Sequence, residues 1–311
     1  MSTLLNPYRS ADGSPRIRRS LTAYLDILGF SSEVRDASKA GNQQQHLEKL
    51  RAALEEANSR LHTEADLSEF GIRTADYMVK VFTDNVVIGI PIQDDGESEL
   101  GRMIDLAGNY QFSLLQRGFF VRGGITVGDL YIDANTVYGN ALLDAHDAET
   151  QLARDPRIVL DAKVMELVHL HLTYYAAIKI APHNEDLLVD SDTQMFLNYL
   201  MIPLYGEPPD DSYFAAFANH RDLIKDRLLK FAEQPQLWSK YVWAGTYHNV
   251  ICTEFLHRPD FAIEEKLLRR PAQRLDKVYT KAKHSIFRGD QHVATWKSVF
   301  DTKKEQEKKK S

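Results

Sequence analysis

The pattern of apolar and polar positions changes period several times along this chain, and each change marks an element. Thr22 to Ser31, TAYLDILGFS, is apolar except for one acid. Ala23, Tyr24, Leu25, Ile27 and Leu28 read as a strand buried on both faces, with Asp26 in its middle. A bare carboxylate is costly there, so Asp26 needs a cationic partner. Gly29 permits a tight turn, and Ser31 or Ser32 is placed to cap a following helix whose free amides would face an anion. From Glu33 to Thr63, Leu47, Leu50, Leu54 and Leu61 recur at helical spacing, giving one or two helices interrupted near Gly41-Asn42. Ile72 to Ile90 reads as a hairpin: two β-rich runs flank Thr83-Asp84-Asn85 and put Asp84 at the tip.

Glu97 to Gln116 follows as an amphipathic helix and Phe119 to Asp133 as a strand pair carrying Arg122 and a glycine pair. Asn140 to Arg154 reads as a short helix and Arg157 to Leu160 as a strand. This β-α-β-β-α-β order predicts an α+β, ferredoxin-like fold with a central, mostly antiparallel sheet and flanking helices. Ala162 to Leu172 is helical, and Tyr174 to Ile180 and Gln194 to Ile202 have the apolar character of strands. After a turn-rich break around residue 207 the chain is helical from Asp211 onward. Trp238, Tyr241, Trp243 and Tyr247 recur too densely for a solvent face and predict a helical core or dimer-packing element. The expected divisions are an N-terminal arm over 1–20, flexible and basic at its end, a catalytic domain over 21–165, a mixed then mainly helical extension over 166–300, and a charged tail over 301–311.

Composition narrows the function classes. The chain has 311 residues, 43% hydrophobic and 26% charged, an ordinary globular balance. A net charge of −6 argues against non-specific nucleic-acid binding, yet leaves room for a small polyanion whose charge is compensated by metal ions. No apolar run approaches a membrane span and no secretory leader is evident, so no membrane partner and a cytoplasmic location are expected. The single cysteine, Cys252, reads as a buried thiol.

Asp26-Ile27-x-Gly29-Phe30, the hairpin Asp84, then Arg122-x-Gly-Ile and a glycine opening a helix have the order and spacing of class III nucleotidyl cyclase domains, which the chain resembles. With RGGIT, VYGNAL and LARDPRIV it looks most like the pyrimidine (uridylate or cytidylate) cyclases of bacterial Pycsar anti-phage systems; SKYVWAGTYHNV resembles the tail of that group. The resemblance implies that Asp26 and Asp84, with the Ile27 carbonyl, bind two Mn²⁺ or Mg²⁺ ions. It gives the amides of Gly29, Phe30 and Ser31 to the β- and γ-phosphates, and Arg122 to the terminal phosphates; its plain alternative is an arginine paired with a surface acid. It also implies a homodimer with composite sites, and a cyclic nucleotide that acts on a separate effector.

Base selection departs from purine cyclases. Met78 stands where adenylate cyclases carry Lys, Lys80 where guanylate cyclases carry Glu, and Thr136 at the position of their Asp or Cys. Strand alternation puts Met78 and Lys80 on one face and Tyr77 and Val79 on the other, and Lys80 with Thr136 is the preferred pair for a pyrimidine. The family's ribose Asn and transition-state Arg fall at Leu143 and Asp147; Asn140, one turn earlier, is the replacement for the Asn. The expected reaction is UTP to 3′,5′-cyclic UMP and diphosphate. A cytidylate or adenylate cyclase and a silent nucleotide-sensing or dimerising domain are the alternatives.

Overall fold

In the computed structural model, residues 6–62 and 76–269 are described, so the start of the Ile72 to Ile90 hairpin, the end of the expected helical extension and the charged tail lie outside the described residues. The elements in order are β1 (Arg18–Ile27), α1 (Phe30–Ala40), α2 (Gln43–His62), β2 (Met78–Val81), β3 (Asn85–Pro91), α3 (Glu97–Gln116), β4 (Val121–Ile132), β5 (Val137–Tyr138) and α4 (Asn140–Asp147). A π-helical turn, Ala148–Leu152, prolongs α4. Then come β6 (Ile158–Leu160), α5 (Ala162–Leu172), α6 (His183–Asp186), β7 (Leu187–Val189), β8 (Met195–Leu197), α7 (Asp211–Lys230), α8 (Pro235–Val250) and α9 (Glu265–Leu268).

The sheet runs β2-β3-β1-β4-β6-β8-β7, with β5 added to β4; only the β4–β6 pair is parallel. The order β2-β3-β1-β4 is the ferredoxin-like one read from the sequence: each helix carries the chain over one face, and β1 ends in the centre. The strands β8 and β7 of the expected extension continue the same sheet.

Period-two alternation divides β1. Leu21, Ala23, Leu25 and Ile27 are buried in the main core against α2 and α3, which contribute Leu50, Ala53, Ala57 and Leu61, and Leu100, Met103, Ile104 and Leu114. Each buried Leu, Ile or Met among them stabilises the fold by about 1.5–3 kcal/mol. On the other face Tyr24 and Asp26 are half-buried. Ser20 and Thr22 on that face are fully buried, so the strand is closed on both faces over its first half, as expected, and opens only towards the end that carries the acid. Leu47, in helical phase by count, is 55% exposed because it lies off the α2 stripe that faces the sheet.

A second core joins the sheet to the C-terminal helices. Leu28, Leu115, Phe120 and Val159 pack with Tyr213, Phe217, Ile224, Tyr241, Tyr247 and Cys252. Burial pushes the Cys252 thiol up to about 11, so it is inert. Four expectations change. Phe119 to Asp133 is one strand, β4, rather than a pair. Tyr174 to Ile180 is a turn and a short 3₁₀ segment, with Ile178 and Ile180 exposed: it has the side chains of a strand but no sheet edge to pair with. Only Met195–Leu197 of the Gln194 to Ile202 run is strand. The N-terminal arm is anchored: Tyr8 is fully buried, its hydroxyl donating to Ser20 Oγ at 2.9 Å, and β1 begins at Arg18.

Candidate functional site

The half-open face of β1 ends at Asp26. Register places Asp26 opposite Asn85 on β3 and opposite Arg122 on β4, and Ile27 N donates to the Asp84 carbonyl at 3.1 Å. The tight β2–β3 turn, closed by Phe82 N to Asn85 O at 2.8 Å, thus seats Asp84 against the end of β1. Asp26 has its carboxyl raised above the usual range, first by burial and further by the charge of Asp84; Arg122 and then His146 oppose the shift. Tyr24 is pushed up to about 12 by burial and by the same acids, and its ring meets His146 edge-on at 5.1 Å.

Arg122 binds Asp26 through Nε and Nη2, at 3.3 and 3.2 Å to Oδ2. Its Nε also lies 2.6 Å from Oε1 of Glu149, off the N–H direction, so Glu149 is charge-paired while that buried oxygen lacks a hydrogen bond. Glu149 is 2% exposed on the π-helical turn, and burial raises its carboxyl. Gly124 makes the approach possible: a Cβ there would stand 2.5 Å from Ala145 O and 2.7 Å from Glu149 N. A half-buried lysine, Lys240 on α8, completes the group; its amine is lowered first by burial and next by Arg122, and it feels the charges of Asp155, Glu149 and Asp26.

Gly29 has φ 80°, the left-handed turn that the sequence requires of it. It is itself the N-cap of α1, which starts at Phe30; Ser31 and Ser32 lie in the first turn and make no cap. Backbone bonding begins with Ser32 N and Glu33 N to Gly29 O, at 2.9 and 3.0 Å, so the amides of Gly29, Phe30 and Ser31 precede the ladder.

The remaining expected residues form a separate group. Lys80 shares the Asp26 face through the register Lys80–Val87–Tyr24, and its amine donates to the Ala134 carbonyl, in the loop that carries Thr136. Thr136 N is held by Asp133 Oδ1 at 2.8 Å. Asn140 opens α4 and accepts from Asp129 N at 2.9 Å. Among the described residues no hydrogen bond or ion pair joins these three to Asp26, Asp84 or Arg122. Tyr77 points away, into the main core. Leu143 and Asp147 are exposed.

The candidate oxygen donors are the carboxylates of Asp26 and Asp84, whose charges act on one another, and the carbonyl of Ile27. Among the described residues no group of three or more His, Cys, Asp or Glu side chains is placed to hold a metal ion. An oxygen-only pair of this kind fits Mg²⁺ or Mn²⁺, which bind through one or two carboxylates and complete their shells with phosphate and water.

Sequence reasoning missed Glu149 and Lys240. Glu149 had a signal: it falls in helical phase with Ala141, Ala145 and Ala148, an acid on a face of small apolar residues. Lys240 had none, because only the tertiary fold brings α8 to β4.

No protein-family model and no curated protein matches the chain. Among solved structures, a class III adenylyl cyclase-like ATP-binding protein from Pseudomonas aeruginosa is 14% identical over 60% of this chain and 40% of its own, with a TM-score of 0.41. The guanylyl cyclase Cya2 is 12% identical over 58% of this chain and 91% of its own, with a TM-score of 0.37. These are partial likenesses, and the functional reading rests on the residues themselves.

Proposed function

We propose that the chain is a homodimeric pyrimidine nucleotide cyclase that converts UTP to 3′,5′-cyclic UMP and diphosphate. The observation that supports this best is the meeting of Asp26 and Asp84, far apart in sequence, at one strand end beside the Gly29 turn and under Arg122. Two half-buried acids side by side repel each other and call for cations. Divalent ions bound there supply charge stabilisation at the attacking and leaving oxygens. The chain's own groups hold the substrate: the amides of Gly29, Phe30 and Ser31 suit phosphate oxygens, and Arg122 grips them once released from Asp26. The 3′-oxygen loses its proton to solvent and bonds to the α-phosphorus as the bond to the β-phosphate oxygen breaks.

The division into two groups supports the dimer. In this reading Asp26, Asp84 and Arg122 of one protomer work with Lys80, Thr136 and Asn140 of its partner, where Lys80 and Thr136 select the smaller base. Following the Pycsar resemblance, the cyclic nucleotide signals to a separate effector during phage infection. A second reading, a silent nucleotide-binding domain, is favoured by the exposed Leu143 and Asp147 at the Asn and Arg positions.

The test is incubation of the purified protein with each nucleoside triphosphate and Mn²⁺, with products identified by mass. Cyclic UMP is expected, and Asp26→Ala is expected to lower its rate by at least about 100-fold, the equivalent of about 3 kcal/mol of lost charge stabilisation. Purine products alone would end the base assignment, and binding without turnover would favour the silent domain.

A further inference from the structure

The C-terminal helical layer does more than cover the sheet. Between it and β4 lies a cleft of about 740 Å³, lined among others by Arg122, Thr150, Arg154, Ser191, Ser239 and Lys240. Arg122 belongs to both places: it faces Asp26 on one side and this cleft on the other. Arg122 therefore stands between Asp26 and the cleft.

Three basic side chains line it, Arg122, Arg154 and Lys240. Three carboxylates line it, and two are already committed. Arg157, 1% exposed, pairs with Asp190 at 2.5 Å and with Asp192, while Trp243 Nε1 donates to Asp190 at 2.5 Å. The third, Asp155, has its carboxyl raised by burial, with Arg157 and then Lys240 opposing the shift. Arg122 is matched by Asp26 and Glu149. Lys240 and Arg154 make no ion pair within 4 Å among the described residues, although Lys240 is half-buried. A partly desolvated ammonium with no ion-pair partner within 4 Å among the described residues gains from an anion that enters the cleft. Serine and threonine hydroxyls supply the neutral donors that a polyphosphate takes alongside cations.

We propose that this cleft is a polyphosphate subsite: Lys240 and Arg154, in the same chain as Asp26 and Asp84, hold the β- and γ-phosphates of the bound nucleotide and then the departing diphosphate. The assignment rests on the cyclase reading for its substrate, and it gives the C-terminal helices a part in the site. It also supplies within one protomer a cation near the reacting phosphates, where Asp147 stands in place of the family's Arg. Lys240 works through the charge it brings to the leaving side and Arg122 through its fork, so removal of Lys240 weakens phosphate binding without disturbing the acid pair.

Calorimetric titration of the full chain with inorganic tripolyphosphate, in chelator so that no metal contributes, reads the subsite without turnover. Wild type is expected to bind, Lys240→Met to bind at least about tenfold more weakly, and Lys240→Arg to keep most of the affinity. Asp26→Asn is expected to bind as well as wild type or better, since one repelling charge is gone. Equal unfolding temperatures for the two Lys240 variants tie the loss to charge rather than to folding. No binding by wild type, or unchanged binding by Lys240→Met, overturns the subsite even where cyclic UMP is made. Lys240-dependent binding by a protein that cyclises no nucleotide leaves the subsite standing and ends the cyclase reading instead.

Discussion

At the scale of single residues, the site is a problem of one arginine and two acids. Arg122 is shared by Asp26 and Glu149, so in the absence of a cation the Asp26 carboxylate is already neutralised, which answers the need for a partner read from the sequence. A divalent ion has to take Asp26 from Arg122, and Glu149 is what keeps the displaced guanidinium paired. Glu149→Gln removes both that alternative partner and one negative charge beside the ion. The expected outcome is a several-fold weaker binding of Mn²⁺, on the order of 1 kcal/mol, with the fold intact. Paramagnetic resonance of Mn²⁺ added without nucleotide measures it, and an affinity equal to wild type would show that Arg122 never competes for Asp26.

At the scale of elements, α7 and α8 are joined by a relay of polar groups inside an otherwise apolar core. His248 Nε2 lies 3.1 Å from the Phe261 carbonyl, His220 Nδ1 lies 3.1 Å from His248 Nδ1, and Tyr199 OH lies 3.3 Å from His220 Nε2. Taken as a chain of single donors, His248 Nε2–H donates to Phe261, His220 Nδ1–H to His248 and Tyr199 to His220; only two neutral imidazoles satisfy it. Burial accordingly holds His220 well below the ordinary histidine value and brings His248 down to about 4. Unfolded, both titrate near the ordinary value of about 6.5. Between the two values the unfolded chain binds more protons, so the stabilisation is complete above about pH 6.5 and is lost as pH falls toward the folded values. The unfolding temperature is expected to drop steadily between pH 7 and pH 5. His220→Phe, which leaves Tyr199 and His248 each short of a partner, is expected to cost about 1–3 kcal/mol at pH 7 and to flatten that slope. A slope unchanged in the variant would assign the acid sensitivity elsewhere.

At the scale of the whole molecule, the parts before and after residue 165 share one sheet and are joined by the second core. Strand β8 pairs with β6, and Leu28, Leu115, Phe120 and Val159 bury against α7 and α8. Arg157 fastens the same junction, paired with Asp190 and Asp192 and lying over the Trp243 ring at 5.6 Å. A chain ending at residue 165 would expose the apolar flank of α3 and β4 and remove both ion-pair partners and the ring that cover Arg157. Residues 1–165 produced alone are expected to aggregate or to give broad, collapsed amide spectra, whereas the full chain gives sharp dispersed ones. A well-folded fragment would make the extension a dispensable addition.

The order of strands and helices was legible in the chain because it depends on local periodicity and turn chemistry: the β1 run, the Asp84 turn, the α3 stripe over Glu97–Gln116 and Gly29 each announce themselves within a dozen residues. The pairing of Asp26 with Asp84 was legible only through the resemblance, and the structure brings the two strand ends together by register. What the sequence could not disclose depends on contacts between distant segments. Glu149 reaches Arg122 because a π-helical turn and the missing side chain of Gly124 let α4 settle against β4, and Lys240 reaches the site because β8 and β7 carry the sheet onward to seat α8. Tyr174 to Ile180 fails as a strand for the same reason: a strand needs a neighbour with free backbone groups, and only the assembled sheet determines where its edge lies.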